Sequence, residues 1–351
     1  MQERNDTITI AKALGIILMV IGHTGSIPVL NHFIYVFHMP LFFILSGLCF
    51  KDKYYNDKAT FFKRKVSGLY VPTLVASLSF ILLHNFFCDI HFLDTTPHDG
   101  ITTFSKYGLS DYGKNIAKAL VMCQNEQMFT GSWFLRELFA GACLSIITLP
   151  ICRNLSLGKL IMAGIYMALA MIISYLGISS ILATMCYATA FILIGMHLRN
   201  RFNSNISWLV IVCLCIAIFI GSIIGCSAMG NVQWWFYPIH CIFAIIGFIF
   251  IMSISQRINS TVGSVKCVLK YIGDKTFIIL VLHMVSFRLI SLLIISHYNY
   301  PIYRLADYPV IKTDGLWWIA YSIVGVSLPL LARHCYMFAK WKIASYKNNG
   351  K

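Results

Sequence analysis

Ten long apolar runs separated by short polar segments constrain this 351-residue chain more than any motif does. Runs of that length read as bilayer spans. In lipid each segment must satisfy its own backbone hydrogen bonds, so each run is expected to be a helix. They fall at about 8–23, 29–50, 67–88, 132–151, 158–176, 178–198, 206–225, 235–253, 276–296 and 316–338. The expected fold class is therefore an all-α polytopic membrane protein. The first run is short, and Lys12 interrupts it. A basic end before a short apolar core also describes a signal peptide. No small-residue cleavage site precedes the second run, so the first is read as a span.

Loop charge orients the chain. With the N-terminus in the cytoplasm, inside segments collect Arg4, Lys51, Lys53, Lys58, Lys63, Arg64, Lys65, Arg153, Lys159, Arg199 and Arg201. They continue with Arg257, Lys266, Lys270, Lys275, Lys340, Lys342, Lys347 and Lys351. Outside segments hold Lys106, Lys114, Lys118, Arg304 and Lys312 among several Asp and Glu. This positive-inside asymmetry predicts an even number of spans with both termini cytoplasmic. It also accounts for the net charge of +15. Basic residues spread over many loops do not make a nucleic-acid surface, so no nucleic-acid partner is expected.

The absence of repeats and low-complexity linkers predicts one membrane domain over 1–351, with a basic tail at 339–351. The large outside loop at 89–131 is expected to hold one short amphipathic helix near 112–123. Cys88 and Cys123 flank that loop and could pair in an oxidising compartment. No C-x-x-C or His-rich spacing indicates a metal site. No Walker A loop or dinucleotide fingerprint follows a strand, which argues against a nucleotide-driven transporter.

Ionisable side chains within spans mark candidate chemistry, since lipid tolerates them poorly. Lys12 and His23 are eleven residues apart, about three helical turns or ~16 Å, and share one face. Imidazole changes charge near neutral pH and suits proton transfer. His38 lies in the second run, two residues before Pro40, which is expected to kink the helix. Ser46 and Gly47 then permit close helix approach. The fourth run opens with Trp133, followed by Arg136 and Glu137. Adjacent helix positions point about 100° apart, so Arg136 and Glu137 are each expected to find a partner on another span. Glu137 is the candidate acidic partner of His23 or His38. His283 and Arg288 occupy the ninth run, with Arg288 expected to be paired structurally. Lys63, Arg64 and Lys65 suit either lipid headgroups or the phosphates of an anionic ligand.

The order K-x10-H, FHMPLFFILSG, KRK with YVP, SWFL and YIGDKTFIILVLHM resembles the acyltransferase-3 family over about residues 4–340. The resemblance implies an integral membrane acyltransferase of about ten spans in the plasma (inner) membrane. The donor it implies is cytoplasmic acyl-CoA, usually acetyl-CoA, and the acceptor a hydroxyl of an envelope glycan or lipid-linked sugar. It makes His23 the essential residue, groups Lys12 and His38 with it, and associates Lys63, Arg64 and Lys65 with the donor side. Two departures are visible. Lys12 stands where the family usually has Arg, and Thr9 where it often has an acid. No fused hydrolase-like domain is expected. The chemistry expected is O-acetyl transfer, with His23 as base or acyl carrier and His38 and Glu137 orienting it. A glycan flippase or polymerase and a proton-coupled transporter are the alternatives, the latter without the internal repeat such folds carry. A homo-oligomer is compatible with everything above.

Overall fold

A computed structural model describes residues 6–152, 155, 157–199, 206–226 and 228–349, with only the backbone at 152, 344 and 346–349. Arg4, Arg153, Arg201 and Lys351, and the side chain of Lys347, lie outside the described residues. Regular structure among the described residues is helical, apart from one isolated bridge between Asp94 and Thr103. The first helices are α1 (Asp6–Gly22), α2 (Pro28–Tyr35), α3 (His38–Leu48), α4 (Lys58–Lys65), α5 (Val71–Leu82), α6 (His84–Asp89) and α7 (Leu109–Leu120). Then come α8 (Ser132–Thr148), α9 (Gly158–Tyr175), α10 (Ser180–Leu198), α11 (Trp208–Ile223), α12 (Tyr237–Asn259), α13 (Ser264–Gly273), α14 (Thr276–Tyr298) and α15 (Trp317–Asn349).

Every apolar run is helical, and eight segments are long and apolar enough to cross a membrane. The first and seventh runs are shorter: α1 has 17 residues and α11 has 16. Length and composition therefore assign eight crossings, against the ten expected. α1 sits at the centre of the bundle, packed by α2, α3, α12, α13, α14 and α15. α10 and α14 are mostly buried, whereas α15 and the helix over 58–82 lie at the periphery.

Four local features depart from the sequence reading. The second run is broken into α2 and α3 ahead of Pro40, where a kink alone is expected. Pro40 occupies the first turn of α3, where its missing N–H needs no partner. Phe37 at the break packs where a side chain on Gly247 of α12 would overlap it. The third run starts nine residues early, at Lys58, because the Asp57 side chain accepts from the Thr60 amide at 2.9 Å and caps the helix. A π turn at Val66–Tyr70 then joins α4 to α5. α13 forms within what reads as a cytoplasmic loop. A side chain on its Gly273 would overlap the Thr9 carbonyl of α1, so the glycine of the YIG element permits backbone contact. Finally, α15 continues as helix through most of the expected tail.

The amphipathic helix expected near 112–123 is α7, shifted to Leu109–Leu120. At one end Tyr107 and Asn85 exchange two hydrogen bonds, of 2.7 and 3.0 Å. At the other the Tyr70 hydroxyl donates to the Leu120 carbonyl at 2.7 Å. α7 therefore runs antiparallel along α5 over its whole length, on the outer side of the bundle. The adjoining loop is anchored by buried His84, whose Nδ1 meets Glu126 at 3.0 Å while its ring stacks on Tyr107. Cys88 and Cys123 are separate free thiols.

α3 and α10 cross with their backbones in contact. A methyl on Gly47 would overlap the Ile192 carbonyl, and one on Gly195 would overlap the Ile44 carbonyl. Small residues at such crossings let helix backbones touch. Gly195→Ala is expected to push the two helices apart and destabilise the protein by about 1–3 kcal/mol, the usual range for overpacking. The thermal unfolding midpoint of detergent-solubilised protein reads this; an unchanged midpoint would contradict the contact.

Candidate functional site

α1 positions the site. Its last turn closes with the His23 amide donating to the Val20 carbonyl at 3.0 Å and the Thr24 amide to Ile21 at 3.1 Å. Gly25 then takes a left-handed conformation, φ +66°, that glycine adopts without strain and that reverses the chain. The Tyr35 hydroxyl of α2 donates to the Gly22 carbonyl at 2.7 Å and holds this turn. His23 is left half-buried just past the C-terminal end of α1, with Lys12 three turns back along the helix.

Two cavities lie along that helix. The first, of about 490 Å³, is lined by Lys12, Ser46, Tyr54, Arg64, Lys65 and Asp274 among apolar side chains. The second, of about 580 Å³, is lined by His23, His32, Tyr35, His38, Trp133, Asn231, His283 and Tyr308. One is basic and the other rich in histidine. Phe134 and Leu280 line both. Lys63 is exposed and lines neither.

The histidines have defined hydrogen bonds. His38 Nδ1 lies 3.0 Å from the Ile34 carbonyl, and His283 Nδ1 lies 2.9 Å from the Leu280 carbonyl. A carbonyl only accepts, so in both rings Nδ1 carries the proton. In the neutral rings Nε2 is left as an acceptor. His283 Nε2 is buried with no hydrogen-bond partner. The His23 and His283 rings are 5.6 Å apart between centroids, tilted by 35°. His38 lies within electrostatic range of both His23 and His240. On the loop between α14 and α15, burial pushes the Tyr308 hydroxyl above its ordinary range. It stays protonated and donates to Thr130 at 3.0 Å.

The sequence pairing of Glu137 with a histidine is corrected. Glu137 is fully buried and lines neither cavity. Its Oε1 accepts from Arg136 Nε at 3.1 Å and Nη2 at 2.8 Å, and from the Thr184 hydroxyl of α10 at 3.2 Å. Adjacent Cβ vectors do diverge, but the arginine side chain is long enough to curl back to its neighbour. Backbone carbonyls, not Glu137, orient His38 and His283. Arg136 lines neither cavity, and its Nη1 lies 3.8 Å from the Cys123 sulfur. Arg288 is likewise structural: its Nη1 donates to the Asp307 carbonyl at 2.7 Å, as expected of an arginine held by carbonyls. His283, seven residues after Thr276 at the head of the same helix, does reach the histidine cavity.

Several lining residues were not singled out from the sequence. Tyr54, Asp274, Asn231 and Tyr308 sit in connecting segments, and Asp274, Phe134 and Leu280 fall inside the quoted YIGDKTFIILVLHM and SWFL motifs without standing out by residue type. Only His32, four residues after Pro28, is chemically conspicuous there. Among the described residues no cluster of three or more His, Cys, Asp or Glu side chains could hold a metal ion.

A family model described as an acyltransferase domain, that of acyltransferase-3, matches residues 5–334. No curated protein and no solved structure matches the chain.

Proposed function

Because the chain belongs to the acyltransferase-3 family, we propose that it moves a short acyl group, acetyl in the first instance, from acyl-CoA to a sugar hydroxyl of an envelope glycan. The basic face is the cytoplasmic one, by the distribution of Lys and Arg, and the membrane is the plasma membrane. The observation that carries this reading is the pair of cavities meeting at Phe134 and Leu280, one basic and one histidine-lined.

Lys12, Arg64 and Lys65 hold the donor phosphates by charge-assisted hydrogen bonds. The pantetheine arm extends along α1 and brings the thioester to His23. His23 takes the proton of the acceptor hydroxyl as its oxygen attacks the thioester carbonyl. The carbon–oxygen bond forms, the carbon–sulfur bond breaks, and the departing thiolate receives the proton from His23. The products are the ester and the free coenzyme thiol. His38 and His283, held in one tautomer by backbone carbonyls, offer further acceptors around the hydroxyl. The apolar walls limit water near the thioester.

The histidine cavity suits a neutral sugar. Trp133, Tyr35 and Tyr308 supply aromatic surface, Asn231 supplies amide hydrogen bonds, and among the described residues no Lys, Arg, Asp or Glu lines it. A flippase would need a cationic grip on a sugar phosphate there, which favours transfer.

The test is binding and turnover by the purified protein in nanodiscs. Labelled acetyl-CoA is expected to bind saturably, and Lys65→Ala or Arg64→Ala to weaken binding about tenfold each, the loss of one hydrogen bond to a charged group. Binding that ignores both substitutions would remove the donor assignment. Acetylation of the cell's glycans, read by mass with labelled acetate, is expected to vanish on deletion of the gene.

A further inference from the structure

Phe134 and Leu280 are the only described residues common to the two cavity linings. Each is nearly buried, at 5% and 6% exposure. Phe134 is wedged between aromatic neighbours, with ring centroids 5.1 Å from Phe43 and 5.7 Å from Phe42 on α3. Leu280, on α14, faces Gly131, where an added methyl would sit 3.0 Å from its Cγ. The Leu280 carbonyl also takes the Nδ1 proton of His283. The divide between the cavities is therefore apolar and closely packed on both sides, within a turn of the histidines. It offers a polar or charged group no hydrogen bond, and an alkyl chain only limited room.

We propose that Phe134 and Leu280 are specificity-determining residues: they bound the passage through which the acyl end of the donor reaches the histidines, and their bulk sets the longest chain transferred. This inference rests on the acyl-transfer reading. A short acyl group passes with a small side-chain adjustment. Each added methylene must displace Phe134 from Phe42 and Phe43, or Leu280 from beneath Gly131. Truncating either side chain relaxes the limit, and filling the glycine opposite Leu280 tightens it.

The experiment is a competition in nanodiscs between acetyl-, butyryl- and hexanoyl-CoA, read as the mass of the acylated acceptor. Wild-type protein is expected to favour acetyl. In Phe134→Ala, and to a lesser degree Leu280→Ala, the hexanoyl-to-acetyl product ratio should rise at least about tenfold, the discrimination carried by one or more methylenes in an apolar pocket. Gly131→Ala should lower the butyryl-to-acetyl ratio. Desulfo-CoA, held at its phosphates by Lys12, Arg64 and Lys65, is the reference ligand: each folded variant should still bind it saturably, and Gly131→Ala, which lies outside the basic cavity, should bind it within about twofold of wild type, a difference under 0.5 kcal/mol. If an alanine variant misfolds, Phe134→Leu and Leu280→Val carry the same test in weaker form. Unchanged product ratios in folded variants that still bind desulfo-CoA overturn the proposal while leaving the transfer reading intact. Absence of desulfo-CoA binding by the wild-type protein overturns the transfer reading, and this inference with it.

Discussion

His23→Ala abolishes acyl transfer while the protein still folds, reaches the membrane and binds acyl-CoA. That is the expected result with the largest effect on activity. Loss of a positioned general base typically reduces the rate by about 10²–10⁴-fold. The structural consequences are small. The bond that closes α1 runs from the His23 backbone amide to Val20 and survives the substitution. The side chain is half-buried at a cavity wall rather than in the core. Donor binding survives because Lys12, Arg64 and Lys65 line the other cavity. His38→Ala and His283→Ala should reduce transfer less, and each also loses a buried side-chain hydrogen bond to a backbone carbonyl, so their stability falls too. The measurement is glycan acetylation beside membrane abundance and acetyl-CoA binding. Undiminished transfer in the His23 variant would remove it from the mechanism.

Arg136→Leu is expected to be the most damaging single change to stability, by about 3–5 kcal/mol, the range for breaking a buried ion pair. It removes two of the three hydrogen bonds to Glu137 Oε1 and leaves a carboxylate with no exposed surface. Only the Thr184 hydroxyl remains to it. Replacing both partners, as Arg136→Leu with Glu137→Gln, should recover most of the loss, because a neutral amide is far easier to bury than a lone charge. Thermal unfolding of wild type, the two single variants and the double variant forms a cycle. Additive losses would mean that the two side chains do not stabilise one another. Transfer by the folded double variant would further separate this pair from the chemistry.

The helices were legible in the sequence because each reports its own energetics. Each of the ten apolar runs is helical, the second in two pieces, and the amphipathic stretch in the large loop became α7. Boundaries were less legible. The start at Lys58 depends on one capping side chain, Asp57, in a segment otherwise rich in charge. The break before His38 depends on Phe37 finding space at Gly247, more than two hundred residues away in the chain.

The candidate site divides in the same way. Lys12 and His23 belong to one helix, and helical periodicity alone set them on one face. His38, Trp133 and His283 were visible as polar or aromatic residues in spans, and they do converge on one cavity. Glu137 looked equally suitable, yet its carboxylate faces Arg136 and α10. Phe134 and Leu280 looked like any lipid-facing residue and instead divide the two cavities.

Hydropathy and residue type established a multi-helix membrane chain and the residues able to carry protons and anions, because lipid sorts each span by its own composition. Tertiary packing alone assigned Glu137 to Arg136, drew four histidines to one cavity and set two apolar side chains between them and the lysines. Those outcomes depend on distances between helices remote in the chain, and no local pattern of residues encodes them.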